Sequence, residues 1–214
     1  SVALRALAPF LARRMREEAS LGVRDMLAQI KPRELLQVTH HIYKLHESPD
    51  DGDRLAATRA LAKLGNPMAI SELTSALHDP SRPVRAGAAL ALGNIGRTEA
   101  IEPLVQALFS TESGIQSPAA RALGHIGGEP SIKALLANLD HPDPRVLSET
   151  VDALGHIGDD SAILPLIFLY DRVENDELQH RILAALVRLG RLGSMAEAAQ
   201  LLPQRRPLGQ FSTR

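Results

Sequence analysis

The same six residues, ALGHIG, stand at 122–127 and again at 153–158. Related phrases occur at 60–65 (ALAKLG), 91–96 (ALGNIG) and 185–190 (ALVRLG), so the closing glycines are residues 65, 96, 127, 158 and 190. The successive gaps are 31, 31, 31 and 32 residues. Self-similarity at a fixed period of about 20–50 residues is the mark of a repeat architecture, in which one supersecondary unit is stacked on copies of itself.

Counting back from each glycine gives the shape of the unit. Leucine stands four places before it (Leu61, Leu92, Leu123, Leu154, Leu186) and alanine five before it (Ala60, Ala91, Ala122, Ala153, Ala185). With Val84, Ile115, Val146 and Leu178 twelve places before, these positions share one face of a helix, helix A. The constant small alanine predicts a point where another helix approaches closely. The glycine predicts a left-handed helix end, and Lys63, His125, His156 and Arg188 suit the negative end of the helix dipole. Downstream, Ile70, Leu73 and Leu77 and their counterparts trace the stripe of a second helix, helix B, with Thr98, Ser131 and Ser161 as expected caps. Each helix is about three turns long and marginal alone, so neighbouring pairs must share a core.

Residues 1–50 fall outside this register. Leu4, Leu7, Leu11 and Met15 make an amphipathic helix; a second is expected from Ser20 to just before Pro32, and a third from Arg33 to about His46. Residues 26–45 read as a degenerate helix pair in which Leu36 opens helix B, and 47–53 as a joint. The five repeats are placed at 54–79, 80–110, 111–140, 141–171 and 172–202, within a repeat region of 51–202, and 203–214 as a basic tail or linker.

Chemistry is limited by what the chain lacks. It has no cysteine, which removes thiolate catalysis, disulfides and cysteine-based zinc sites, and fits a cytoplasmic location. No apolar run is long enough to span a bilayer. Residues 51–202 carry 13 Lys/Arg against 19 Asp/Glu, so the repeat body lacks the basic stripe that nucleic acid requires. There is no GxSxG elbow and no phosphate loop; the glycines of 65–71 and 127–131 lie in turns between helices. No catalytic residue, cofactor or metal site is assigned. His125 and His156, in the same register, are read as exposed histidines at helix ends, because a metal would need both rings to lean together and further ligands besides. His40 and His41 point about 100° apart on a helix, and His46, Glu47 and Asp50 make only a chance-level cluster.

The pattern DPxxxVR…A…ALGxIG…AIxPLxxAL resembles the HEAT family, in particular the short glycine-marked repeats associated with phycobilisome lyases. The resemblance covers about residues 54–202 and implies an all-α, right-handed α-solenoid of the HEAT/armadillo type, with B helices on the concave side. It does not select one function, since such arrays serve as scaffolds, inhibitors, chromophore lyases and regulatory domains. The di-iron hydroxylases of this fold carry His-Glu pairs where this chain has Ala86 with Gly87, Ser117 with Pro118, Ser148 with Glu149 and His180 with Arg181. That ligand set is missing.

One departure from the repeat points to a binding surface. Residues 164–170, LPLIFLY, are apolar on nearly every face, whereas the equivalent helix of the first copy carries Ser71, Glu72, Thr74 and Ser75. Leu164 and Phe168, with Phe109 and Ala137, are the candidate partner-binding residues, on an apolar centre inside an acidic surround. The expected function is non-catalytic: a scaffold or adaptor that binds another protein bearing a basic segment. The alternatives are a phycobilin lyase or chromophore-handling subunit, and a regulatory domain of a larger, membrane-bound or soluble protein, as the start at Ser1 allows.

Overall fold

A computed structural model describes residues 32–112 and 114–190. Among them are ten α-helices and no strand: α1 (Pro32–Glu47), α2 (Asp51–Leu64), α3 (Ile70–Ala76), α4 (Arg82–Ile95), α5 (Ile101–Leu108), α6 (Gln116–Ile126), α7 (Glu129–Ala137), α8 (Pro144–Ile157), α9 (Ile163–Arg172) and α10 (Asp176–Arg188). The A helices are α2, α4, α6, α8 and α10, and the B helices are α3, α5, α7 and α9. The helices expected before Pro32, helix B of the fifth repeat and the tail at 203–214 lie outside the described residues. The chain divides into two compact units, 1–122 and 123–214.

In the first unit α1 packs on α2 and α3, and α2 and α3 pack on α4. The helix expected from Arg33 to about His46 is α1, and Leu36 lies within its first two turns, partly exposed. In the second unit α8 packs against α7 and α10, and α9 against α10. The leucines four places before each glycine are essentially inaccessible, as are Leu73, Leu104, Leu135 and Leu166 of the B helices. Every closing glycine has the expected positive φ, from 60° at Gly65 to 79° at Gly158. The N–H of Gly96 donates to Leu92 O at 3.2 Å, and that of Gly158 to Leu154 O at the same distance, closing each helix with a residue that needs no side chain.

Helix B starts differently from expectation. In three copies it opens with a 3-10 turn (Pro67–Ala69, Thr98–Ala100, Asp160–Ala162), and in the first and last of these the residue directly after the glycine caps it with its side chain. Asn66 Oδ1 accepts from Met68 N at 3.0 Å and Asp159 Oδ1 from Ser161 N at 2.9 Å. Thr98 and Ser161 lie inside these turns rather than ahead of them. Ser131 is three residues into α7, behind Gly128, and its hydroxyl is buried at a position that is alanine in three other copies (Ala69, Ala100, Ala162).

The alanine five places before each glycine marks the expected close approach, and a glycine on the preceding A helix meets it. A Cβ added to Gly93 would lie 2.7 Å from Ala122 Cα. One added to Gly124 would lie 2.8 Å from Ala153 Cα, and one added to Gly155 2.8 Å from Ala185 Cα. Glycine inside a helix costs about 1 kcal/mol relative to alanine. Here it lets adjacent A helices touch backbone to backbone. Between α2 and α4 the contact shifts: Gly87 faces Thr58, whose Oγ1 would stand 2.4 Å from an added Cβ.

A second device recurs eleven places before the glycine, where Arg54, Arg85, Gln116 and Gln179 reach the carbonyls that close the preceding segment. Arg54 Nη1 donates to Ser48 O at 3.0 Å and Pro49 O at 3.1 Å, and Arg85 Nη1 to Asp79 O at 2.7 Å and Pro80 O at 3.1 Å. Gln116 Nε2 donates to Ser110 O at 2.8 Å, and Gln179 Nε2 to Val173 O at 2.9 Å. Leu147 takes this position in the fourth repeat and cannot donate. There the buried Asn138 Nδ2 donates to Thr150 Oγ1 at 2.8 Å, and Thr150 Oγ1 to Val146 O at 2.9 Å. The expected joint at 47–53 is likewise bonded: Asp50 Oδ1 caps α2 through Gly52 N at 2.6 Å, while Arg54 holds Ser48 and Pro49.

Arg54 also forks onto Asp79, Nε to Oδ2 at 2.8 Å and Nη2 to Oδ1 at 3.0 Å, joining the start of the first repeat to its end. Burial pushes the Asp79 carboxyl up, but the bonds from Arg54 and Ser81 N and the charges of Arg54 and Arg85 outweigh it and hold the pKa below the ordinary value. Stability from this group is therefore present above the usual aspartate range and lost as pH falls through the depressed value. The thermal midpoint of the natural chain should exceed that of Asp79→Asn at neutral pH, with the gap narrowing below about pH 4; a gap constant across a pH series would contradict this. Gly124→Ala should destabilise by about 1–3 kcal/mol in urea titrations, overpacking exceeding the helix-propensity gain. At the equivalent position of the first copy, Ala62→Gly should cost only about 1 kcal/mol.

Candidate functional site

Phe109 ends α5 in the first unit and is 52% exposed. In the second unit Ala137 closes α7 and is exposed, while Leu164 and Phe168 are 65% and 69% exposed on α9. Leu164 and Phe168 are one turn apart and share a face. Ala137 holds on α7 the register position that Phe168 holds on α9, 31 residues later.

The geometry of α9 separates two roles that its apolar sequence leaves merged. Leu166 and Leu169 point into the core and are buried, and Ile163, Ile167 and Tyr170 are half-buried against their surroundings. Leu164 and Phe168 face outward. Asp160, one turn before Leu164, and Asp171, three residues after Phe168, are exposed as well. Residues 160, 164, 168 and 171 follow helical spacing, so the outer edge reads acid, leucine, phenylalanine, acid. The two flanking carboxylates were not singled out from sequence, although the spacing of 4, 4 and 3 is there to be read.

The edge is tied down at its far end. Arg172 Nη2 donates to Asp140 Oδ1 at 2.5 Å and to Leu139 O at 3.4 Å, joining the end of α9 to the segment after α7. Lys133 of α7 is paired with Glu129 at 2.6 Å. Lys133 and Arg172 are thus each matched by a carboxylate, and Asp160 and Asp171 are exposed acidic residues on either side of Leu164 and Phe168. Exposed ion pairs of this kind add little stability, so their effect here is on the local field.

The histidines fall into three arrangements. On α1, His40 and His41 meet edge-on with ring centres 5.3 Å apart despite pointing in different directions from the helix. Burial holds the His41 imidazole below its ordinary value, and the neighbouring His40 and Lys44 act in the same direction. His46 Nδ1 lies 3.2 Å from Glu47, but Asp50 is committed to capping α2, so the three do not gather. His125 and His156 are exposed, and their rings lean together with centres 5.6 Å apart. Among the described residues no group of three or more metal-capable side chains converges, and no helix is long and apolar enough to cross a membrane.

The family model for HEAT repeats matches residues 38–117 and 104–187. Among solved structures, the complex of CpcE and CpcF of phycocyanin lyase from Nostoc sp. PCC7120 is 25% identical, with a TM-score of 0.63 over 79% of this chain and 68% of that one. An engineered protein is 27% identical, with a TM-score of 0.52 over 76% of this chain and 83% of its own. A designed armadillo repeat protein in complex with the peptide (KR)4 is 20% identical, with a TM-score of 0.51 over 72% and 82%, a likeness of fold alone. No curated protein matches the sequence.

Because its ring is exposed, Phe168 owes nothing to the core. Phe168→Ala should leave stability within about 0.5 kcal/mol in chemical denaturation; a loss of several kcal/mol would show that the ring is packed.

Proposed function

This chain belongs to the HEAT repeat family, all-α proteins of stacked helix pairs, and on that premise we propose that it is a non-catalytic scaffold or adaptor that binds another protein along its B helices. The observation that carries the proposal is the outward pair Leu164 and Phe168 on α9, at register positions that are serine, glutamate or glutamine in the first two copies (Ser71, Ser75, Glu102, Gln106). Large apolar side chains exposed together on a helix mark a contact surface. Phenylalanine is among the residues enriched at interface centres, where a few anchors carry most of the affinity. Phe109 is proposed as a further contact in the first unit.

The partner best suited to this edge carries an apolar anchor flanked by lysine or arginine. Asp160 and Asp171 bracket Leu164 and Phe168, and opposite charges placed around an apolar centre set orientation and on-rate more than affinity. The acidic balance of the repeat body speaks against nucleic acid as the partner.

A second reading has its own support. The likeness to the CpcE and CpcF complex, at 25% identity and a TM-score of 0.63, makes a chromophore-handling subunit the alternative. Adding a bilin to the purified chain separates the two: an adapter leaves its absorption spectrum unshifted, whereas a chromophore handler changes it.

The proposal is tested with labelled peptides of one apolar core flanked by arginine or by glutamate, followed by anisotropy. The arginine-flanked peptides should bind the natural chain more tightly and lose affinity with salt, and Leu164→Glu/Phe168→Glu should weaken them by at least about tenfold, the equivalent of 1.4 kcal/mol. Equal binding by the natural chain and the variant would reject the α9 edge as the contact.

A further inference from the structure

His125 and His156 occupy the same place in consecutive repeats, in the last turns of α6 and α8. Both are exposed, and among the described residues neither imidazole is committed to a hydrogen bond or an ion pair. Their ring centres are 5.6 Å apart, with the planes inclined by 53°. The close approach of Gly124 to Ala153, on the same two helices, sets this spacing, because it brings the two backbones together one residue before His125 and three before His156.

That separation is close to the one two imidazoles on a shared metal ion would have. With a metal–nitrogen bond of about 2.1 Å and about 1.1 Å from nitrogen to ring centre, two imidazoles on one tetrahedral ion have centres about 5.2 Å apart. The observed centre-to-centre distance lies within a few tenths of an ångström of that value. The surroundings favour a cation. Two helices end here, and the unpaired carbonyls of a helix C-terminus carry partial negative charge. Arg188, the next member of the same row, would oppose a metal, but its Nη1 lies 3.8 Å from Asp152 Oδ1. Asp152 also takes Arg181 Nη1 at 2.6 Å, and Arg181 Nη2 lies 3.4 Å from Glu177 Oε1, so two carboxylates balance the two guanidiniums on this side of the site.

The geometry points to a site for one borderline divalent transition-metal ion, of the Zn2+, Ni2+ or Cu2+ class, held by His125 and His156 and completed by water. Imidazole suits these ions, and magnesium or calcium, which take oxygen ligands, are excluded by the donor set. The ion bridges the third and fourth repeats and therefore stabilises the folded chain when bound. His40 and His41 show a similar ring distance, but Lys44 lies close to His41 and sets that pair apart as a control. The site lies at the ends of A helices and stands independently of the partner-binding reading.

The test uses the untagged full chain, stripped with chelator and titrated with Zn2+ by calorimetry while the histidine ring signals are followed by NMR. One ion should bind per chain at this site, moving the signals of His125 and His156 together and raising the thermal midpoint. His125→Asn and His156→Asn should each weaken it by at least about tenfold, since even supporting residues of metal sites contribute that much. His40→Asn/His41→Asn should leave it intact. Absence of a one-to-one event, movement of only one of the two ring signals, or equal affinity in either single variant would overturn the assignment. If a variant folds poorly, the ring signals of the natural chain decide.

Discussion

The contact on which the rest depends is the meeting of a glycine on one A helix with an alanine on the next. Gly93 with Ala122, Gly124 with Ala153 and Gly155 with Ala185 bring helix backbones to a distance that a single methyl group would block. Three-turn helices have too little surface to be stable singly, so their apolar faces must be shared with neighbours. Close approach is what lets small alanine-rich faces do this. It also explains why a chain with only 3% aromatic residues can exclude water from its interior: the spaces are small, and leucine with alanine fills them.

Around that contact the repeat uses polar groups sparingly and at fixed places. The left-handed glycine ends helix A, an Asn or Asp directly after it starts helix B in two copies, and a long amide or guanidinium near the start of the next helix A covers the carbonyls left open behind it. Each solves the same problem, the unpaired backbone groups at helix ends. The fourth repeat departs from this pattern. When Leu147 removes the donor, a buried Asn138–Thr150 bond is present at the same junction. With the core and helix ends provided for, the outer edge of a B helix is free to vary, and α9 is where it varies most.

Much of this was legible in the sequence because the repeat states each requirement five times. The glycine period, the leucine stripe and the need for alanine at a close approach follow from position alone. The features that are not legible there involve partners that sequence spacing does not name. The alanine is legible but not the glycine facing it, because the pair spans two repeats. Hydroxyls are good caps, which points to Thr98, Ser131 and Ser161, but Asp159 caps ahead of Ser161, and the helices of the second and third copies start at Arg97 and Gly128 with no side-chain cap bond. Residues 164–170 are apolar on nearly every face, and only the burial of Leu166 and Leu169 separates core from surface there. The meeting of the His125 and His156 rings depends on side-chain rotamers, which no periodicity encodes.

A double-mutant cycle tests the close approach most directly. Gly124→Ala, Ala153→Gly and the double variant are unfolded in urea beside the natural chain. The account requires the double variant to be more stable than the sum of the single effects by more than about 0.5 kcal/mol, because removing the Ala153 methyl relieves the 2.7 Å contact with its Cβ and leaves only the 2.8 Å contact with its Cα to be accommodated. Strict additivity would contradict it, and the repeats would then have to be held together by something other than this contact.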